Sequence, residues 1–219
     1  MRIGLLGGTF NPIHNGHLHI ADQTRTRLGF DHILFIPTGD PPHKSLTSLA
    51  PVHHRLAMVK LATQPFPDFQ VSDIEATSSE TCYTIDTLNA LKDQIEGELF
   101  FLVGLDAFLD FPMWKAADQL FTKANFIVLS RPGVQFVETT ALPLLPRIPE
   151  NDLRALDQGT RDLLEIPTSP STTITFLALP PCDISASVIR DRLQKGLSVA
   201  DWLPAPIESY IIHHHLYGT

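Results

Sequence analysis

A chain of 219 residues with 43% hydrophobic content can build one substantial core, or one core with a small appendage. Its formal net charge of −8 argues against a broad nucleic-acid-binding face, so an anionic ligand must be held by a local cationic cluster. Two cysteines, Cys82 and Cys182, are too few for a disulfide framework or a zinc ribbon, and they fit a reducing compartment.

The chain opens on RIGLLG (2–7), an apolar run too short for a signal peptide, and no later segment reaches membrane-spanning length. A soluble, cytoplasmic protein is expected. Next comes GGTFNPIHNGH (7–17). Its glycines let a ligand approach main-chain N–H groups, Pro12 redirects the chain, and a helix beginning near Asn15–Gly16 and running to 28 points its positive end into the same space. His14 precedes that helix and His17 lies in its first turn, so both rings can project to one side. Anion binding accounts for these features together. Zinc is a second reading, weakened because His17 and His19 are two apart and do not share a helix face. A plain structural turn is a third. The Gly-Lys-Ser/Thr ending of a Walker loop is absent.

HILFIP (32–37) reads as the next strand, followed by the loop GDPPHKS with Lys44. Pro51 starts a helix over 52–63. FQVSDI (69–74) is a strand, and Thr84 is placed to cap a helix over 84–94. LFFLVG (99–104) ends at Gly104 with Asp106 just beyond, and NFIVLS (125–130) follows. Residues 134–173 are rich in proline and mixed charge, with one helix expected at 151–164, and read as a surface insertion or lid. TITFLAL (173–179) is a last strand. Ser185 caps and Gly196 stops a helix that opens a C-terminal helical segment, 185–216, with the histidines at 213–215 on an exposed face. The strand–helix alternation predicts an α/β, doubly wound, Rossmann-like parallel sheet of about six strands with helices on both faces, in a single domain over 1–219. Ligands bind such sheets beyond the carboxyl ends of the strands, near the switch point.

GGTFNPIHNGHL resembles the G-T-F-[DN]-P-x-H-x-G-H signature of the nucleotidyltransferase superfamily. PPHK (41–44), CYTIDTL (82–88), GLDAFLDFPMWKAADQL (104–120), SRPG (130–133) and ISASVIRDRL (184–193) follow in the order seen in bacterial nicotinate-nucleotide adenylyltransferases. The resemblance implies transfer of AMP from ATP to nicotinate mononucleotide, giving deamido-NAD and pyrophosphate. It implies that His14, His17, Lys44 and Arg190 act on the reacting phosphates, and that Gly8, Thr9, Phe10, Gly104, Asp106, Ser185 and Ser187 bind ATP. It further implies a nicotinate-nucleotide pocket at Tyr83, Thr84, Trp114 and Lys115, with main-chain N–H groups near Thr84 and Lys115 on the carboxylate. Magnesium is implied as a bridge between ATP phosphates, held mainly by substrate oxygens rather than by protein ligands. Taken alone, Lys44 reads equally as a solvated loop lysine, Arg190 as a surface helix residue, Asp106 as a helix cap and Trp114 as core.

Asn11 stands where many relatives have Asp, Cys82 where Ser is common, and Ala186 where a second Ser is frequent. Two other readings remain beside the leading one: a nicotinamide-preferring adenylyltransferase, and a catalytically silent nucleotide-binding module. Nucleic acid and membrane partners are not expected, and oligomeric state is not legible.

Overall fold

The apolar runs form strands because they bury side chains on both faces, leaving almost no polar alternation. In the computed structural model, which describes residues 1–39 and 49–219, β1 (Arg2–Gly8) keeps residues 3–6 buried in succession. α1 (Asn15–Leu28), β2 (His32–Pro37), α2 (Val52–Thr63), β3 (Phe69–Val71) and α3 (Thr84–Gln94) follow. Next are β4 (Glu98–Gly104), the short α4 (Leu105–Leu109) and α5 (Ala117–Leu120), and β5 (Asn125–Leu129). α6 (Glu150–Asp157), β6 (Leu163–Pro167), β7 (Thr173–Leu177), α7 (Ala186–Gln194) and α8 (Ala205–His213) complete the series. The sheet has seven strands in the order β3-β2-β1-β4-β5-β7-β6. It is mostly parallel: β2 with β3, β4 with β5 and β5 with β7 run together, whereas β6 runs against β7.

The chain divides into two compact units, Met1–Leu5 with Tyr83–Pro181, and Leu6–Cys82 with Cys182–Thr219. The first is cored by phenylalanines: Phe108, Phe111, Phe126 and Phe176 are fully buried, and Phe111 stacks on Phe121 with centroids 4.6 Å apart. Each such ring contributes about 2–3 kcal/mol relative to exposure. The second buries Ile33 and Phe35 of β2, Met58 and Val59 of α2, and Ile207 and Ile211 of α8.

The structure differs from expectation at several edges. The sheet has seven strands rather than about six, because 163–167 is a strand, its first two residues having been expected as the end of a helix over 151–164. Gly159, at φ +68°, ends α6 in a left-handed turn, and Leu164 and Ile166 then alternate against Phe176 and Ile174. Pro167 suits this edge position, where a missing N–H costs nothing. β3 stops at Val71 because the Ser72 hydroxyl accepts the Ile74 N–H at 3.3 Å, which turns the chain out of the ladder. β7 stops at Leu177, since the next amides donate to Asp162 O and Ser130 Oγ. α1 begins at Asn15, where the helix start was expected, and Tyr83 rather than Thr84 is the cap residue of α3. The histidines at 213–215 close α8 rather than line it: His214 is the cap residue and His215 has φ +50°. Among the described residues, no helix is long and apolar enough to cross a membrane.

Candidate active site

The second unit holds the histidine motif. Gly8 ends β1, and its carbonyl accepts the Thr38 N–H at 2.9 Å. The chain then turns through Thr9 and Phe10, the latter at φ +46°, to a cis Asn11–Pro12 peptide. A left-handed Phe10 is strained for a residue with a side chain, and strain of this kind gathers at functional sites. Its ring compensates by burial, 5.9 Å from Phe35 and edge-on to His17 at 5.0 Å. A Cβ on Gly8 would stand 3.1 Å from the Phe10 ring, so glycine here makes room for that ring to pack against the main chain.

His14 is the residue before α1, and its ring lies stacked on that of His17, centroids 3.7 Å apart. The His14 N–H donates to His17 Nδ1 at 3.3 Å. A ring nitrogen that accepts has no proton, so His17 carries its proton on Nε2 and presents it as a donor. The first amide of α1 does not join this set, because the Asn15 N–H donates to Trp202 O at 2.8 Å. The His17 N–H is taken as well, by the His14 carbonyl at 2.9 Å.

Asn11 knits the motif to distant chain. Its Oδ1 accepts from the Ala50 N–H at 2.9 Å and from the Tyr217 hydroxyl at 2.8 Å, while its carbonyl accepts from Arg190 Nη1 at 2.8 Å. Burial pushes the Tyr217 hydroxyl well above its ordinary range, against the opposing pull of Arg190 and Arg55, so it stays a donor. A guanidinium has five N–H donors, and the bond to Asn11 leaves Arg190 capacity for phosphate oxygens. Ser185 and Ser187 lie at the amino end of α7 with their hydroxyls 2.7 Å apart, and Ser185 is the cap residue without a side-chain cap bond. Lys44 lies outside the described residues.

In the first unit, Gly104 closes β4 and precedes α4. A Cβ there would stand 2.5 Å from Asp106 Oδ1 and 2.8 Å from Arg131 Nε, so the Asp106–Arg131 pair, 3.3 Å apart, requires glycine beside it. Tyr83 and Thr84 form the amino end of α3, where the first N–H groups have no helical partner. Lys115 Nζ sits 2.9 Å from Asp86 Oδ2 and 4.4 Å from the Tyr83 ring centroid. Trp114 is half-buried, 5.4 Å from Phe111 and 6.1 Å from Phe101. Among the described residues, no three His, Cys, Asp or Glu side chains converge as a cation cage.

Four residues escaped the sequence reading: Arg55, Asp86, Arg131 and Tyr217. Arg55 left a signal, since it falls at helical spacing with the buried Met58, Val59 and Ala62. A charged residue on an apolar stripe needs a reason. Tyr217 left none, being 206 residues from its partner Asn11.

A glycine-bounded strand end, paired histidines and a cationic helix residue define a nucleotidyltransferase, and the chain belongs to the cytidylyltransferase-like family, whose model matches residues 5–192. Proteins named probable nicotinate-nucleotide adenylyltransferase are similar along its whole length. That of Trichlorobacter lovleyi is 40% identical, covering 99% of each chain, and that of Geobacter metallireducens is 36% identical, covering 99% of this chain and 98% of the other. Within the class, the chain belongs to the family of nicotinate-nucleotide adenylyltransferases. Among solved structures, Plasmodium falciparum nicotinic acid mononucleotide adenylyltransferase complexed with NaAD has the same fold. Its TM-score is 0.72 at 22% identity, over 99% of this chain and 97% of that one.

Proposed function

We propose that the protein transfers the adenylyl group of MgATP to the 5′-phosphate of nicotinate mononucleotide, releasing pyrophosphate and forming deamido-NAD in NAD biosynthesis. A phosphate oxygen of the mononucleotide attacks the α-phosphorus of ATP, and the bond from that phosphorus to the β-phosphate bridging oxygen breaks. The nucleophile is already anionic, so no general base is needed. What the protein supplies is position and countercharge.

The observation that carries this reading is the His14–His17 pair. A His17 ring with Nδ1 engaged by the main chain is a fixed Nε2–H donor, suited to charge gathering on the α-phosphoryl oxygens. In this reading His14 and main-chain N–H groups at Gly8, Thr9 and Phe10 hold further phosphate oxygens. Arg190, with Ser185 and Ser187, takes the β- and γ-phosphates, and Lys44 adds charge at the reacting centre. Gly104 and Asp106 receive the ATP ribose. Apart from the Asp106 carboxylate and the two serine hydroxyls, these groups are N–H donors and cations rather than the oxygen ligands a hard cation prefers, so magnesium would arrive as part of MgATP. It neutralises charge on the departing pyrophosphate.

The base is read by Tyr83, Thr84, Trp114 and Lys115. The amino end of α3 favours a carboxylate over a neutral amide. One observation favours the nicotinamide-preferring alternative: Asp86 places a carboxylate in the first turn of the same helix. Lys115 offsets it at 2.9 Å, which returns the balance to the acid. Full-length likeness to relatives named for nicotinate supports the same choice. A cytoplasmic setting belongs to the reading, since ATP and pyridine mononucleotides meet there and both cysteines are free thiols.

The deciding experiment is a paired assay of pyrophosphate release with MgATP and either mononucleotide. Much faster release with nicotinate mononucleotide is expected. Equal rates would defeat the base assignment, and no release with either would leave a silent nucleotide-binding module.

A further inference from the structure

Arg55 is among the largest fully buried side chains, and it sits on the apolar stripe of α2. Taking a guanidinium out of water is costly, and a fold that needed only volume there would use leucine or methionine. Its donors are spent on main-chain carbonyls of separate segments. Nε donates to Ala50 O at 3.0 Å, Nη1 to Thr9 O at 2.8 Å and Thr38 O at 2.7 Å, and Nη2 to Gly39 O at 3.1 Å. Thr9 belongs to the turn after β1. Gly39 and Ala50 lie on either side of residues 40–48, which include Lys44.

The contact with Thr9 has a stereochemical consequence. The Thr9–Phe10 peptide is trans, so its C=O and N–H point in opposite directions. With the carbonyl drawn to the buried guanidinium, the Phe10 N–H is turned away from it. Phe10 is also the residue at φ +46°, a conformation that persists only where its surroundings over-determine it. Ring burial fixes one side of that residue, and Arg55 fixes the peptide that precedes it.

We infer that Arg55 is a positioning residue for adenylyl transfer, orienting the Thr9–Phe10 peptide so that the Phe10 N–H donates to a phosphate oxygen of ATP. The assignment rests on the adenylyl-transfer reading above. Arg55 touches no substrate atom itself, and its action runs through the main chain.

The test is Arg55→Lys, which keeps the charge but cannot reproduce the planar fork across several carbonyls. ATP should bind about tenfold more weakly and kcat should fall about 10²-fold, while KM for nicotinate mononucleotide stays within about twofold of the parent value. Unchanged ATP binding and kcat would overturn the assignment. So would equal weakening toward both substrates, which would mean general loosening. Because Arg55→Lys can fail to fold, the unaltered protein provides a second measurement. In isotope-labelled protein, MgATP should shift the Phe10 amide and the Arg55 Nε–H signals and slow their hydrogen exchange, and nicotinate mononucleotide alone should not. Signals that ignore ATP would overturn the assignment whatever the variant does. If unaltered protein binds ATP with these shifts yet releases no pyrophosphate, the transfer reading fails while the link between Arg55 and phosphate binding stands.

Discussion

The main-chain N–H of His14 donates to Nδ1 of His17 across 3.3 Å, and this one bond decides which nitrogen of His17 carries the proton. The donor at Nε2 is set before substrate arrives, as electrostatic catalysis requires. His17→Ala should lower kcat by about 10²- to 10³-fold. His17 is only half-buried, so the fold should survive, with far-UV circular dichroism and the melting transition near those of the parent. Turnover close to normal in steady-state assays would remove His17 from the mechanism.

Asn11 uses the same oxygen, Oδ1, to accept from the Ala50 N–H and the Tyr217 hydroxyl. A carboxylate oxygen accepts equally well, which explains how Asp and Asn can both serve in this turn. Asn11→Asp should therefore keep kcat and stability near the parent values. Asn11→Leu strands two buried donors at about 1–3 kcal/mol each and should lower the unfolding free energy accordingly. Denaturant titration of both variants separates the cases. A leucine variant as stable as the aspartate one would show that Oδ1 does not hold the turn.

Gly104 has ordinary backbone angles, φ −68° and ψ 145°, so space rather than conformation demands glycine there. A methyl group would meet Asp106 Oδ1 at 2.5 Å and Arg131 Nε at 2.8 Å. Gly104→Ala should push that carboxylate off its place and raise KM for ATP about tenfold, with little change in kcat. Because the pair is well exposed, the melting temperature should hardly move. An unchanged KM for ATP would take Asp106 out of ribose binding.

Much of the fold was legible because buried strands are continuous apolar runs, and because Pro51 and Gly196 mark helix limits that the chain obeys. β6 was not, since five residues of alternating pattern after a glycine look like the end of α6 until the pairing with Phe176 and Ile174 is seen. The histidine motif was legible as a stretch with local logic: glycines, a proline break and a helix start. What holds that stretch was not. Arg55 reaches Thr9 across 46 positions, Arg190 reaches Asn11 across 179 and Tyr217 reaches it across 206, and nothing local records such pairs. Asp86 was passed over because an acidic residue in a first helical turn is ordinary stabilising chemistry, and only its 2.9 Å pairing with Lys115 marks it as part of the base pocket proposed here.

His54 links α2 to α8 through a 2.9 Å contact between its Nδ1 and the Tyr210 hydroxyl, with the His214 ring 4.9 Å away and His53 at 4.2 Å. Burial first, then repulsion from His53 and His214, lowers its pKa below the usual 6.5. Burial also raises that of Tyr210, which keeps its proton and can donate to a neutral imidazole. The unfolded chain therefore binds a proton at a higher pH than the folded one does, and stability must rise with pH across that interval. The contribution is complete above the ordinary value of 6.5 and is lost as pH falls through the lower folded-state value. Melting temperature should thus decline as the buffer is taken from about pH 8 to about pH 5, with His54→Gln giving a flatter profile. The decline should accompany faster hydrogen exchange in α8, because charging His54 places it against His53 and His214 and removes its acceptor for Tyr210. Parent and variant profiles that run parallel would show that other groups govern the acid response.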